Sequence, residues 1–268
     1  MKNIREKLSK FDFSAILAPV LFGVFIMILW QTQLLHKLIG TDVFTLPLPG
    51  RIVRIILDNS PTILQNTGAT LIAALGGLLF GSLLGYLLGV LAAIFPKWGS
   101  GGLTIVSAFN AVPIIAIAPI LNNLTKSISD EPQIRSMVAK ILVVTLTSMI
   151  PMSVNAYRGL TNVKPFSEDL MKSLAASNWE IFSKLRLPNS VEYIFTALRI
   201  SVPGAVISAL VSEYFAEFII GVGRQIRENI VLAQYATAWS YITVACLVGI
   251  ILYVLLLIAE HAVLKKRR

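Results

Sequence analysis

The chain has 268 residues, 56% of them hydrophobic and only 14% charged, a balance that excludes a soluble globular domain, whose surface needs more polar cover. The net charge of +9 does not mark a nucleic-acid partner, because the Lys and Arg residues gather at the ends of apolar runs instead of along one soluble face. Several of those runs exceed the ~20 residues a helix needs to cross a hydrocarbon core of ~30 Å, and a helix satisfies its own backbone hydrogen bonds in lipid.

The expected fold class is therefore an all-α membrane protein, a polytopic bundle of six transmembrane helices forming a single domain over residues 1–268. The spans fall at about 13–35, 67–95, 103–124, 137–157, 200–220 and 231–259, with a long polar loop at about 158–199. Lys2, Arg5, Lys7 and Lys10 precede the first run, and no small-x-small cleavage site follows it, so the run is expected to stay as a span. Leu46, Pro47, Leu48 and Pro49, followed by Arg51 and Arg54, read as an external loop with a short surface helix. In the second span Gly77, Gly81, Gly85 and Gly89 recur every fourth residue, a face on which another backbone can approach closely.

Pro113 and Pro119 should kink or break the third span. Irregular backbone at membrane depth survives only against protein or a water-filled cavity, so these prolines are candidates for a pathway wall. The fifth span carries Glu213 and Glu217, four residues apart and hence on one helical face. An acid within a span is costly; these two either serve a pathway or proton relay, or find partners near the outer interface. Cys246 has no intrachain partner, and His36 and His261 stand apart from other ligands, so neither a disulfide nor a metal site is expected. Gly221, Val222 and Gly223 lack the preceding strand and third glycine of a dinucleotide site, and no phosphate-binding G-x-x-x-x-G-K-[ST] occurs, so no cofactor and no catalytic residue is expected.

An even number of spans puts both termini on one side. That side holds fifteen Lys and Arg against eight on the other, where Lys140 lies at the border of the fourth span. By the positive-inside rule the termini and the polar loop are cytoplasmic. Within the loop, Ser177 to Glu180 has the S-x-x-E pattern of a capping box, which starts a helix. Pro188 is expected to stop that helix at Leu187. The loop thus reads as helix, turn, helix and proline stop, with Trp179 and Phe182 on one face.

The loop resembles the EAA motif of permease subunits of bacterial ATP-binding-cassette importers, E-A-A-x3-G-x9-I-x-L-P. Aligned on Leu187 and Pro188, it places Leu185 at the isoleucine, Ala175 at the glycine and Asp169 at the glutamate, with Leu170 and Met171 in place of both alanines. Further stretches, among them residues 46–49, 67–89, 113–120, 157–160, 197–199, 212–213 and 221–223, are similar to the nitrate, sulfonate and taurine branch, whereas Asn122, Asn123 and Leu124 depart from it. The resemblance implies a non-enzymatic permease of the bacterial cytoplasmic membrane. It also implies a second permease copy or paralogue, a cytoplasmic ATPase docked through Asp169, Ala175, Ser177, Trp179, Phe182, Leu185, Leu187 and Pro188, and an extracytoplasmic substrate-binding protein. Lipid surrounds such a protein. The implied solute is a sulfonate-, nitrate- or taurine-like oxyanion, with thiamine-precursor pyrimidines or riboflavin as alternatives; the different reading is a proton-coupled secondary transporter using Glu213 and Glu217.

Overall fold

In the computed structural model, residues 13–108, 111–215 and 220–265 are described, and every regular element among them is helical. In chain order these are α1 (Phe13–Gln31), α2 (Leu34–Ile39), α3 (Pro49–Asp58), α4 (Ser60–Ile94), α5 (Pro96–Ala108), α6 (Ile114–Leu124), α7 (Pro132–Thr161), α8 (Ser167–Ser173), α9 (Asn178–Ile181), a π-helical turn (Phe182–Arg186), α10 (Leu187–Phe215), α11 (Val222–Val231) and α12 (Tyr235–Lys265). Pro49, Pro61 and Pro132 sit in the first turns of α3, α4 and α7, where a missing N–H costs nothing and a fixed φ is already helical.

Four helical stretches are long and apolar enough to cross a membrane: Ser60–Ile94, Pro132–Thr161, Asn178–Phe215 and Tyr235–Lys265. The 19-residue α1 adds a fifth apolar stretch. The expected third span, 103–124, is not one helix. It is divided between α5 and α6 around Pro113, whose extended backbone (φ −64°, ψ 125°) precedes α6, while Pro119 is carried inside α6.

Helices α4 and α7 run parallel, and the glycine stripe explains how they meet. Gly77 faces Val144, Gly81 faces Thr145 and Ser148, Gly85 faces Met149 and Met152, and Gly89 faces Ser153 and Ala156. At all four sites a β-carbon would press on backbone or Cβ atoms of α7. Helix α10 completes the centre with Ala205, Val206 and Ala209 against Ala73 and Ala74 of α4 and Val144 of α7. Lipid tails are as apolar as these side chains, so close approach of small residues, and not expulsion from water, holds the helices together.

The parallel pair gives the bundle two ends. One holds the starts of α4 and α7 and the end of α10. The other holds the ends of α4 and α7, the polar loop and the start of α10, where Arg199 makes a two-pronged contact to Glu260 of α12 at 2.8 and 2.7 Å. At the first end α1 meets α12 through Trp30 and Trp239, with ring centroids 5.7 Å apart, and α3 meets it where Ser240 donates to Ile52 O. There the His36 ring pairs with the Leu46 carbonyl at 2.6 Å, and the Gly50 N–H donates to Gln31.

Candidate functional site

The polar loop folds as two short helices braced against each other. Helix α8 ends in a Schellman arrangement: the N–H of Ala176 donates to Met171 O (3.0 Å) and that of Ala175 to Lys172 O (2.9 Å). This requires a left-handed residue, and Ala175 supplies it at φ +58°. A β-carbon costs about 1–2 kcal/mol there, against about 0.5–1 kcal/mol of extra chain entropy for glycine. Ala175→Gly is accordingly expected to stabilise the turn by about 0.5–1 kcal/mol, read as slower hydrogen exchange of the 171–176 amides; unchanged or faster exchange would contradict the strain.

Ser177 then caps α9. Its hydroxyl accepts from the Glu180 N–H at 3.3 Å, and its own N–H donates to the Glu180 carboxylate at 3.0 Å. Lys184 reaches the same carboxylate at 3.0 Å, and Arg186 returns to Glu168 of α8 at 2.7 Å, tying the two helices together. The guanidinium beside Glu168 holds that carboxyl below the usual carboxylate range. Trp179 and Phe182 stack with centroids 5.9 Å apart and ring planes 25° apart, and Trp179 is 72% exposed. Phe166, Leu170 and Leu174 are also exposed, and Asp169 lies among them at the surface. A cleft of about 930 Å³ opens between the end of α4 and the loop, bordered by Trp179, Phe182, Asp169 and Lys172.

The expected proline stop does not occur. Leu185 lies in the π turn, in which the Leu187 N–H reaches Phe182 O, and Leu187 and Pro188 open α10. The wider turn shifts the register by one residue, so Pro188 falls in the first turn of the next α-helical segment, where its missing donor is tolerated. Residues Asn178–Phe215 therefore form one rod of 38 residues, about 57 Å long at ~1.5 Å per residue. A hydrocarbon core takes up about 30 Å, so the Trp179 end must overhang it. Asn189, near the start of that rod, donates to Gly159 O at 2.7 Å and holds it to the end of α7.

At the opposite end is a buried polar cluster. Glu213 of α10 and Lys140 of α7, 0% and 1% exposed, pair at 3.1 Å. Lys140 also donates to Ile220 O at 2.9 Å. The second oxygen of Glu213 accepts from the Thr70 hydroxyl and from the Gly223 N–H, each at 2.9 Å. Thr70 in turn accepts from the Val222 N–H, and Asn66 from the Gly221 N–H, each at 3.0 Å. The segment opening α11 is thus bolted to α4, α7 and α10. Gly221 is required twice over: φ is +152°, and a β-carbon would collide with the Glu213 carboxylate.

This cluster uses Asn66 and Thr70, which did not stand out in the sequence, and Lys140, which entered there only as a charge counted at the fourth span. One signal was available, since Lys140 is the lone cation within an otherwise apolar span and an intramembrane charge calls for a partner. Being paired and buried, Lys140 also drops out of the topology count. Glu217 lies outside the described residues. Glu213 is consumed by its partners, an arrangement that gives proton relay no support.

The family described as "Binding-protein-dependent transport system inner membrane component" matches residues 81–268, which include both the loop and the Lys140–Glu213 pair. The chain belongs to this family. The permease is 29% identical over 207 residues to the formylaminopyrimidine transport permease protein ThiX of Halalkalibacterium halodurans, covering 74% of this chain and 75% of that one. A probable ABC transporter permease protein of Haemophilus influenzae is 27% identical over 199 residues, covering 74% and 77%. The bicarbonate transport system permease protein CmpB of Synechocystis sp. is 31% identical over a shorter 85 residues, covering 32% and 30%.

Among solved structures, the permease fold is similar to the inward-facing MetNI methionine ABC transporter, with a TM-score of 0.61 at 15% identity, covering 76% of this chain and 95% of that one. An amino acid ABC transporter solved with histidines gives a TM-score of 0.59 at 15% identity, covering 77% and 96%. The permease is therefore a multi-pass inner-membrane component of an ATP-binding-cassette importer and not an enzyme. Membership of this family implies an ATPase and a substrate-binding protein as partners.

Proposed function

We propose that the permease carries a small solute across the cytoplasmic membrane beside a second copy or paralogue, with its 162–188 segment docked on the ATPase and both termini on that cytoplasmic side. The observation that carries this reading is the overhanging Trp179 end of the 38-residue rod. It presents stacked aromatic rings to water and is braced by Arg186–Glu168, an arrangement that a mere connector does not need. Charge supports the orientation: with Lys140 internalised, fifteen Lys and Arg on the terminal side face seven on the other. Asp169 would add a polar contact to those of Trp179, Phe182 and Leu187. Closure of two ATPases on ATP would draw two such segments together and rock the permeases between inward-open and outward-open states.

On coverage of the named relatives, a formylaminopyrimidine-like solute stands ahead of bicarbonate and of the sulfonate-, nitrate- or taurine-like oxyanions of the resembled branch. The docking test is co-purification in detergent with the cognate ATPase. The wild-type chain is expected to retain the ATPase, and Trp179→Ala combined with Leu187→Asp to lose it. Capture unaffected by both changes would sink the docking reading.

A further inference from the structure

Helix α12 carries no charged residue from Tyr235 to Ala259 and then presents Glu260, His261 and Lys265. Ile250, Val254 and Leu257, 60%, 46% and 37% exposed, fall on one face of that helix. Steps of four residues carry the same face on to His261 and Lys265. Depth follows from the other end of α12. Trp239 pairs there with Trp30, and indole rings settle at the boundary between membrane and water. A hydrocarbon core of ~30 Å uses ~20 helical residues, so a helix that enters beside Trp239 leaves the core at about residue 259. Run length and distance agree in putting Glu260, His261 and Lys265 at headgroup level.

A groove of about 320 Å³ opens at that level between α10 and α12, bordered by Arg199, Leu257, Glu260, His261, Leu264 and Lys265. Its cations face outward: the Arg199 side chain is 50% exposed and Lys265 is exposed, whereas the Glu260 side chain is only 11% exposed. Arg199 uses Nε and Nη2 on the two Glu260 oxygens. A guanidinium has two edges that can fork an anion, and this contact occupies the side edge alone. The end edge, formed by Nη1 and the outer N–H of Nη2, makes no hydrogen bond among the described residues. Glu260 therefore fixes the fork without filling it. Lys265 is in no ion pair among the described residues and adds a second positive charge. Three further cations, Lys266, Arg267 and Arg268, follow in the sequence.

A basic groove between membrane helices at headgroup level, continued by an exposed apolar stripe at tail level, matches a phosphodiester above its acyl chains. A free anion would use the basic end and leave the stripe without a role. A second copy packed on the stripe about a two-fold axis would set two basic ends side by side. We infer that the groove between α10 and α12 is a binding site for an anionic phospholipid, with the end edge of Arg199 and Lys265 on its phosphate and Ile250, Val254 and Leu257 along an acyl chain. The bound lipid bridges α10 and α12. The site goes beyond the transport reading and stands independently of it; under the orientation proposed above, the leaflet is the cytoplasmic one.

The experiment takes the full-length permease in a non-ionic detergent, with whatever ATPase it retains, and counts bound lipid by native mass spectrometry. Phosphatidylglycerol is titrated against phosphatidylcholine of the same acyl chains, and wild type is expected to hold the former about tenfold more tightly. Arg199→Gln combined with Glu260→Gln leaves the net charge unchanged, yet is expected to weaken phosphatidylglycerol about tenfold, because the fork is gone. Lys265→Gln is expected to weaken it about fivefold. Lys37→Gln, the same charge loss on α2 at the opposite end, should leave it unchanged. Wild-type affinity in the double variant would mean diffuse attraction to a basic end and would overturn the site. Equal losses from Lys265→Gln and Lys37→Gln would do the same, and that comparison decides if the double variant does not fold. Equal retention of the two lipids, or of neither, would overturn the anionic phospholipid. Displacement by millimolar inorganic phosphate would assign the groove to a free anion instead.

Discussion

Replacing Lys140 with methionine is expected to destabilise the permease by about 3–5 kcal/mol and to lower its melting temperature in detergent sharply. The pair itself contributes little net stability, because taking two charges out of water costs about what their attraction returns. Removing one partner is different: the Glu213 carboxylate would remain buried, with the Thr70 hydroxyl and the Gly223 N–H but no counter-charge. The Ile220 carbonyl would lose its donor as well. Methionine approximates the length of the lysine stem, so the loss is electrostatic and leaves no large cavity. Lys140→Met combined with Glu213→Leu should recover much of the deficit, since it removes both charges. Wild-type melting for Lys140→Met alone would show that the pair does not exist as described.

Gly81→Ala and Gly85→Ala are each expected to cost about 1–3 kcal/mol, although alanine is the better helix former by about 1 kcal/mol. The steric term wins because each new β-carbon meets α7 backbone at Thr145 or Met149, which cannot rotate away as a side chain can. Gly76→Ala is the internal control. Its nearest neighbour is the Ile141 side chain at 3.6 Å, an ordinary contact, so this variant should be neutral or slightly stabilising. Melting of the three variants in one detergent distinguishes the cases. Equal behaviour of all three would rule out the close parallel approach of α4 and α7.

Much of this was legible from residue order alone. Apolar run length marked where long apolar helices lie but not that 103–124 is divided, a period of four gave the packing face of α4, and S-x-x-E gave the start of α9. Contacts between distant helices were not legible. Lys140 and Glu213 lie 73 residues apart and meet only because α7 and α10 are brought together by small residues at Val144, Ala205 and Ala209. The stop expected at Pro188 failed for a local reason: a proline preference describes an α-helical register, and the π turn changes the register just before it. Ala175 shows the converse, a left-handed position recognised by alignment to a glycine and occupied by alanine.

The unbroken course from Asn178 to Phe215 has a mechanical consequence. A stiff bar held between its ends transmits a sideways push at one end as an opposite swing at the other, and the small-residue contacts of α10, with Asn189 holding the bar nearer its start, provide such a fulcrum. Trp179 and Glu213 sit near its two tips. The five residues of the π turn and the proline at 203 are where the bar can give. Torque not absorbed at those two joints would arrive at the bolted segment between Ile220 and Gly223, on the far face of the bilayer.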